Sequence, residues 1–336
     1  MKTRRTLLAA IAAGAIILAA CGGDDAESST EAAATTTTTA ETTTTAPPTT
    51  TTVAPTTTTT EPAPPPGTTL TLDVTGFPPL AGGVHYEGWA IIDGAPVTTG
   101  KFNVNEAGDV IGLDGAPVEA FATTTDLTAA TAIVVTIEAS GDTDTTPAET
   151  HFVAGDVTSG AADLDIAHPA AIGTDFADAA GALVLATPST DTKDDELSGI
   201  WFLTLPGPEA GLSLPDLPAG WVYEGWAVID GIPVSSGRFT DVAAADQSAP
   251  FGGPGRMPTY PGEDFVSNAP EGLTFPTDLS GATVVVSVEP EPDDDAAPFA
   301  LKPLVGDLPA DAEEEPVAYD LANVATNLPA GVATIS

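Results

Sequence analysis

The feature that most limits how this chain can fold is an internal duplication. Residues 86–102 (YEGWAIIDGAPVTTGKF) match residues 223–239 (YEGWAVIDGIPVSSGRF), and twelve of these 17 positions are identical. A second match pairs residues 126–138 with 278–289, and a third pairs the Pro and Gly-Asp spacing of residues 147–156 with that of residues 298–307. The ordered part is therefore predicted to contain two copies of one unit, at about residues 68–206 and 210–336, each near the commonest domain size.

Both copies carry signals for β-strands. Residues 132–137 and 283–288 are runs of β-branched side chains, which favour strands over helices. The strand-like segments after Trp89 and Trp226 each run into an Asp-Gly pair, which predicts a hairpin. Because no amphipathic helix of useful length is found, we predict an all-β chain with two tandem β-sandwich domains.

The single cysteine, Cys21, lies at the end of an amino-terminal export signal. Basic residues begin the chain, an apolar stretch covers residues 7–20, and Leu18-Ala-Ala precedes the cysteine. This arrangement resembles the lipobox of bacterial lipoproteins. The resemblance implies removal of a signal peptide at residues 1–20 and lipid attachment to Cys21, on the outer face of the cytoplasmic membrane. The apolar stretch is shorter than the roughly 20 residues that span a bilayer.

Residues 21–67 form a low-complexity linker of Thr, Pro and Ala. The segment has no apolar periodicity and cannot bury enough surface to offset the entropy of ordering, so we predict a disordered, extended stalk. The stalk would lift the two domains away from the membrane.

Charge excludes some partners. The chain has 48 acidic and 8 basic residues and a formal net charge of −40, which repels nucleic acid and anionic lipid headgroups. Calcium loops need carboxylates at set spacing with a turn glycine. Residues 141–144 and 293–295 lack that spacing, so any Ca²⁺ binding is predicted to be non-specific.

No known catalytic or cofactor motif is present. His85, His151 and His168 lack zinc-site spacing, and the chain has no second cysteine to supply a ligand. A nucleophile elbow and a phosphate-binding glycine loop are also missing. We therefore predict no enzymatic activity, no cofactor and no metal.

The repeated pattern Gly-Trp-x-x-x-Asp-Gly-x-Pro-Val-x-x-Gly-x-Phe, followed by Val-x-Val-x-x-Glu and a loop closing on Gly-Asp, resembles the extracytoplasmic carboxy-terminal domain of anti-sigma-K factors. The resemblance covers both copies and implies an exported module that senses or docks. Direct binding to a sigma factor is not expected, because only the signal segment precedes Cys21.

The aromatic residues leave two functional hypotheses open. Trp89 and Trp226 recur in both copies and are predicted to be core residues, whereas Trp221 has Val84 as its counterpart and is predicted to lie on the surface. Trp221 and Trp201 are the candidate contact residues. The leading hypothesis is a non-catalytic module that binds an envelope protein, and the alternative is a module that binds cell-wall polysaccharide through Trp and Tyr.

Overall fold

A computed structural model describes residues 65–292, 295–313 and 316–336. Cys21, the signal segment and nearly all of the linker lie outside the described residues. Strands form almost all of the regular structure, and one 3₁₀ turn, η1 at Leu127–Ala129, is the helical exception within the described ranges. The all-β prediction is confirmed.

The strands of the amino-terminal half are β1 (Thr69–Thr75), β2 (His85–Ile92), β3 (Ala95–Val104), β4 (Val110–Ile111), β5 (Phe121–Ala122), β6 (Ala130–Glu138), β7 (His151–Asp156), β8 (Ala161–Asp165), β9 (Ala180–Leu185) and β10 (Gly199–Trp201). Those of the carboxy-terminal half are β11 (Leu203–Thr204), β12 (Glu209–Ala210), β13 (Leu212–Ser213), β14 (Trp221–Ile229), β15 (Ile232–Phe239), β16 (Gly262–Asp264), β17 (Thr283–Pro290), β18 (Leu304–Asp307), β19 (Ala318–Asn323) and β20 (Ala330–Ile335).

The predicted hairpins are present in both copies. Strands β2 and β3 pair around Asp93 and Gly94, and β14 and β15 pair around Asp230 and Gly231. All four turn residues have positive φ, with 52° at Asp93 and 77° at Gly94. Positive φ at both central positions is typical of a type I′ turn, whose twist matches that of paired strands, and this explains why an Asp-Gly pair closes each hairpin.

The two copies build two large sheets of matching order. The first runs β4-β3-β2-β6-β7-β8-β20-β1-β5, and the second runs β15-β14-β17-β18-β19-β9-β10-β16, with β13 paired to β9. The hairpin and the β-branched strand lie side by side in both sheets. A short segment leading into each copy also joins its sheet, as β1 in the first and β13 in the second.

The sheets exchange one strand with each other. Strand β9 follows β8 of the first sheet along the chain, yet it pairs with β19 of the second. Strand β20 follows β19 of the second sheet, yet it pairs with β8 and β1 of the first. The strand that follows β8 and the strand that follows β19 thus occupy corresponding places, each in the sheet of the other copy, and each sheet needs residues from both halves of the sequence.

This exchange differs from the domain boundary expected between residues 206 and 210. Strands β9 and β10 precede that boundary and belong to the second sheet, while β20 follows it and belongs to the first. The described residues from 65 onward accordingly form one compact unit. The physical reason is that strand pairing is non-local: a short apolar strand can complete either of two similar sheets, and the local sequence does not specify which one.

A continuous core spans both copies. Phe152 of β7 stacks on Trp221 of β14, with ring centroids 6.0 Å apart and planes 24° apart. The Trp221 indole N–H also donates to the His151 carbonyl at 3.2 Å. Both rings belong to one buried cluster with side chains from the two sheets, so the copies share their apolar core.

Candidate functional site

The repeated Trp and Glu of the sequence pattern belong to one buried polar network. In the first copy, the Trp89 indole N–H donates to the Thr136 hydroxyl at 2.9 Å, and that hydroxyl donates to Glu138. Glu138 also accepts the backbone N–H of Ala148 at 3.0 Å. The glutamate of the Val-x-Val-x-x-Glu motif therefore fastens the loop at residues 139–150 over the sheet.

The second copy reproduces this network. The Trp226 indole donates to the Ser287 hydroxyl at 2.8 Å, Ser287 donates to Glu289, and Glu289 accepts the backbone N–H of Phe299 at 2.9 Å. Since both glutamates are buried and bonded to loop backbone, their role is structural. The prediction that Trp89 and Trp226 are core residues is confirmed by their burial.

A second glutamate in each copy is buried beside a base. Glu87 accepts from the Thr98 hydroxyl and lies 3.3 Å from Lys101 Nζ, which also donates to Asp142 at 2.8 Å. Glu224 of the second copy accepts from Arg238 Nε at 2.8 Å. His85, Glu87 and Asp142 form the one group in the described residues that could supply three donors to a metal ion.

Trp221 is not a surface residue, contrary to the sequence-based prediction. Its side chain is 2% exposed and lies between Phe152 and Phe299, with ring centroids at 6.0 and 6.3 Å. The first copy has no tryptophan at the equivalent position, because the contact made by Trp221 forms once, where the two copies meet. Trp221 is therefore unavailable for direct ligand contact.

Trp201 is also only 2% exposed, and it lies beneath an apolar groove on the second sheet whose floor it forms. The groove has a volume of about 420 Å³, within the range typical of small-ligand and side-chain pockets. Its walls come from distant segments of the chain and are mostly apolar: Val184, Ala186, Pro188, Leu203, Leu205, Pro208, Met257, Pro258, Thr259, Tyr260 and Pro316. The Tyr260 hydroxyl donates to the Pro208 carbonyl at 2.8 Å and joins two of these segments.

Arg256 is the charged residue of the groove lining. The other bases of the described ranges have partners: Lys101, Lys193 and Arg238 form ion pairs, and Lys302 donates to a backbone carbonyl. Within those ranges Arg256 has neither an ion pair nor a hydrogen bond. An unpaired guanidinium beside apolar walls can donate to the acceptor groups of a bound segment.

Buried carboxylates support the groove from below. Asp264 accepts the Trp201 indole N–H at 2.8 Å and the backbone N–H of Ser189 at 2.7 Å. Glu263 accepts backbone N–H groups from Asp264 and Phe251 at 3.0 and 3.3 Å. These bonds fix the position of the Trp201 ring and hold the surrounding loops, so the groove is preformed.

Burial makes these carboxylates weaker acids. Desolvation raises the pKa of Glu263 to about 7 and that of Asp246 to about 6, against the opposing effect of backbone N–H donors. The pKa of Asp264 is raised for the same reason. In the unfolded chain these groups ionise near pH 4, so the folded state holds more protons between about pH 4 and pH 7.

This difference predicts that the protein loses stability as the pH rises. Stability falls with pH wherever the folded state binds more protons than the unfolded state. We therefore expect the free energy of unfolding, measured by urea denaturation, to decrease from about pH 4.5 to pH 7. In Glu263→Gln this decrease should be smaller, because that position no longer titrates.

The control for this prediction is Glu119→Gln, a substitution at an exposed carboxylate. It should leave the pH dependence of the unfolding free energy unchanged. A Glu263→Gln variant with the full pH dependence of the parent would contradict the assignment of raised pKa values to this cluster.

Sequence reasoning selected Trp201 but missed the groove around it. The lining residues lie near positions 184–188, 201–208, 256–260 and 316. No single segment shows a pattern that indicates a groove. The high Pro content near Arg256 and Pro208 was the available signal, because Pro at loop positions provides rigid apolar surface.

Residues 7–151 match the family model described as anti-sigma-K factor rskA, C-terminal. The match covers the first copy up to the start of β7, and it confirms that the chain carries an anti-sigma-K-like domain. No curated protein and no solved structure matches the chain. Among the described residues there is no helix with the length and apolar character needed to cross a bilayer.

Proposed function

We propose that the protein is a cell-envelope lipoprotein, attached through Cys21, that presents its anti-sigma-K-like β-domains for non-catalytic interaction with another envelope protein. The preformed groove at Trp201 carries this proposal. Its apolar walls suit an apolar side chain of the partner. The chain would act as a docking or sensing accessory.

The net charge of the protein restricts which partner surfaces it can attract. With a net charge of −40, the protein attracts a basic surface and repels an acidic one over the distance of a Debye length. Arg256 makes a local exception at the groove, where it can donate to a backbone carbonyl or carboxylate of the entering segment. We therefore propose a partner with a basic surface and an apolar anchor flanked by a hydrogen-bond acceptor.

The cell-wall glycan alternative depends on exposed Trp and Tyr faces. Trp221 is buried and its indole N–H is used, and Trp201 donates to Asp264. The structure offers no observation that favours this alternative over protein docking. It remains an outcome of the experiment below.

A charge placed at the groove rim should abolish partner capture. Leu205 lines the groove and is 44% exposed, so Leu205→Asp adds a carboxylate without emptying the core. The matched control is Leu113→Asp, at a 58% exposed leucine outside the groove. We expect the affinity for the partner to fall at least about tenfold in Leu205→Asp, because the apolar anchor would meet a carboxylate that loses its hydration on binding, and to be unchanged in Leu113→Asp.

The measurement is crosslinking in cells followed by quantitative mass spectrometry, repeated with the Cys21→Ala form. Supporting evidence is a protein enriched with the parent and Leu113→Asp but absent with Leu205→Asp. Its binding to purified protein should weaken as salt rises. Equal enrichment with both variants would reject the groove, and capture of wall fragments in place of protein would favour the glycan alternative.

A further inference from the structure

We propose that His85, Glu87 and Asp142 form a binding site for a divalent transition-metal ion, zinc being the best fit. One donor atom from each residue lies within 4.8 Å of the other two. This site is separate from the groove at Trp201, belongs to the first sheet, and does not depend on the proposed docking function.

The strand geometry brings the donors together. His85 and Glu87 are two residues apart on β2, so their side chains project from the same face of the sheet. Asp142 belongs to the loop at residues 139–150, which the bond from Ala148 to Glu138 fastens over that face. The loop therefore supplies the third donor from above the strand.

The His85 ring has a nitrogen free to coordinate. Its Nδ1 lies 3.1 Å from the Gly83 carbonyl, and since a carbonyl only accepts, Nδ1 carries the proton. In the neutral ring Nε2 then holds the lone pair, and this atom is buried without a hydrogen-bond partner in a side chain that is 2% exposed. Metal-bound histidines commonly donate their other N–H to a backbone carbonyl in this way.

The Lys101 ammonium lies against both carboxylates of the proposed site. It is 3.3 Å from Glu87 Oε2 and 2.8 Å from Asp142 Oδ2. The contact to Glu87 Oε2 is electrostatic, because this oxygen accepts no hydrogen bond of good geometry. A metal ion would take over both carboxylates and release the flexible lysine side chain, which is already a quarter exposed, toward solvent.

The second copy provides an internal comparison. Val222 stands where the first copy has His85, and Arg238 replaces Lys101. Arg238 holds Glu224 through a 2.8 Å bond from Nε, and a guanidinium keeps its charge and its fixed geometry. The second copy thus has the glutamate without the histidine, so a purely structural role for the glutamate does not require His85.

The donor set decides which ion fits. One imidazole nitrogen and two carboxylates suit zinc and related ions, whereas Ca²⁺ and Mg²⁺ prefer oxygen donors alone. In a tetrahedral zinc site the donors lie about 3.3 Å apart. The three donor atoms, which lie within 4.8 Å of one another, would therefore draw closer by at most about 1.5 Å on binding.

Titration of the full-length protein with Zn²⁺ tests the proposal by isothermal calorimetry and thermal unfolding. All forms carry Cys21→Ala so that no thiol binds the ion. We expect one Zn²⁺ per chain and a raised melting temperature. In His85→Val, which copies the second repeat and should fold, the affinity should fall at least about tenfold. Lys101→Met should bind Zn²⁺ more tightly, because the competing ammonium is gone.

His168→Ala is the control, because His168 contacts Asp156 and lies outside the proposed site. It should bind Zn²⁺ like the parent. Absence of stoichiometric binding, or binding that His85→Val leaves unchanged, would overturn the proposal. A Lys101→Met variant with unaltered or weaker affinity would also overturn the role given to the lysine.

Discussion

Ala333→Lys should destabilise the protein by at least about 3 kcal/mol, although it alters the fourth residue from the carboxyl terminus. Ala333 is 1% exposed and lies in β20 between Leu72 of β1 and Ala162 of β8. A lysine there would place a long side chain and its charge in the shared core, which costs both packing and desolvation energy. Urea denaturation gives the free energy of unfolding.

The matched control introduces the same residue one position earlier. Val332 is 42% exposed and faces Asp73 and Asp163 on the neighbouring strands. Val332→Lys should leave the stability unchanged or raise it by a few tenths of a kcal/mol, because opposite charges across strands attract.

Amide hydrogen exchange identifies which strands are destabilised by Ala333→Lys. Since β20 belongs to the first sheet, Ala333→Lys should reduce amide protection in β1 and β8, which lie far from it in sequence. If protection were lost in β19 and β9 while β1 and β8 kept theirs, the strand exchange described here would be wrong.

The sequence is sufficient to predict the local elements of this fold. An Asp-Gly pair with positive φ determines each hairpin, and β-branched runs determine β6 and β17. The exchange of β9 and β20 is beyond such reasoning. The β20 segment, Ala-Gly-Val-Ala-Thr-Ile, has little side-chain volume to specify a partner, and two sheets of similar order offer it equivalent positions.

The candidate sites show the same limit. The repeated glutamates are visible in the sequence, but their role as loop fasteners depends on backbone N–H groups ten residues away. His85 attracts no attention as a metal ligand because its partner Asp142 lies in a loop more than fifty residues further along. Trp201 was noticed as an aromatic residue, whereas the groove requires the fold of the second sheet.

Trp221 was predicted to lie on the surface because it has no counterpart in the first copy, and it is buried. In a duplicated protein, a residue without a counterpart in the other copy can be an exposed surface residue or a buried residue that contacts the other copy. Trp221 is the second kind, because the aromatic cluster of Phe152, Trp221 and Phe299 forms once, where the two copies meet. Absence of repetition therefore indicates the junction as readily as the surface.

Trp221→Ala should cost about 3–5 kcal/mol of unfolding free energy, the range for removing a buried tryptophan. The substitution leaves a cavity between Phe152 and Phe299 and leaves the partly buried His151 carbonyl without the indole donor. Trp221→Phe keeps most of the ring packing, so it should cost less, about 1–3 kcal/mol for the lost hydrogen bond and the smaller ring. Urea denaturation of the parent, Trp221→Phe and Trp221→Ala measures their unfolding free energies, which should decrease in that order.

This comparison also separates the junction role from a ligand-binding role. A tryptophan that served as an exposed platform for polysaccharide would be removable with little change in stability, and its loss would weaken binding to wall polysaccharide. The buried stack predicts the reverse: a large loss of stability, with the alanine variant less stable than the phenylalanine variant. Equal stability of the parent and Trp221→Ala would show that the two copies do not depend on this contact.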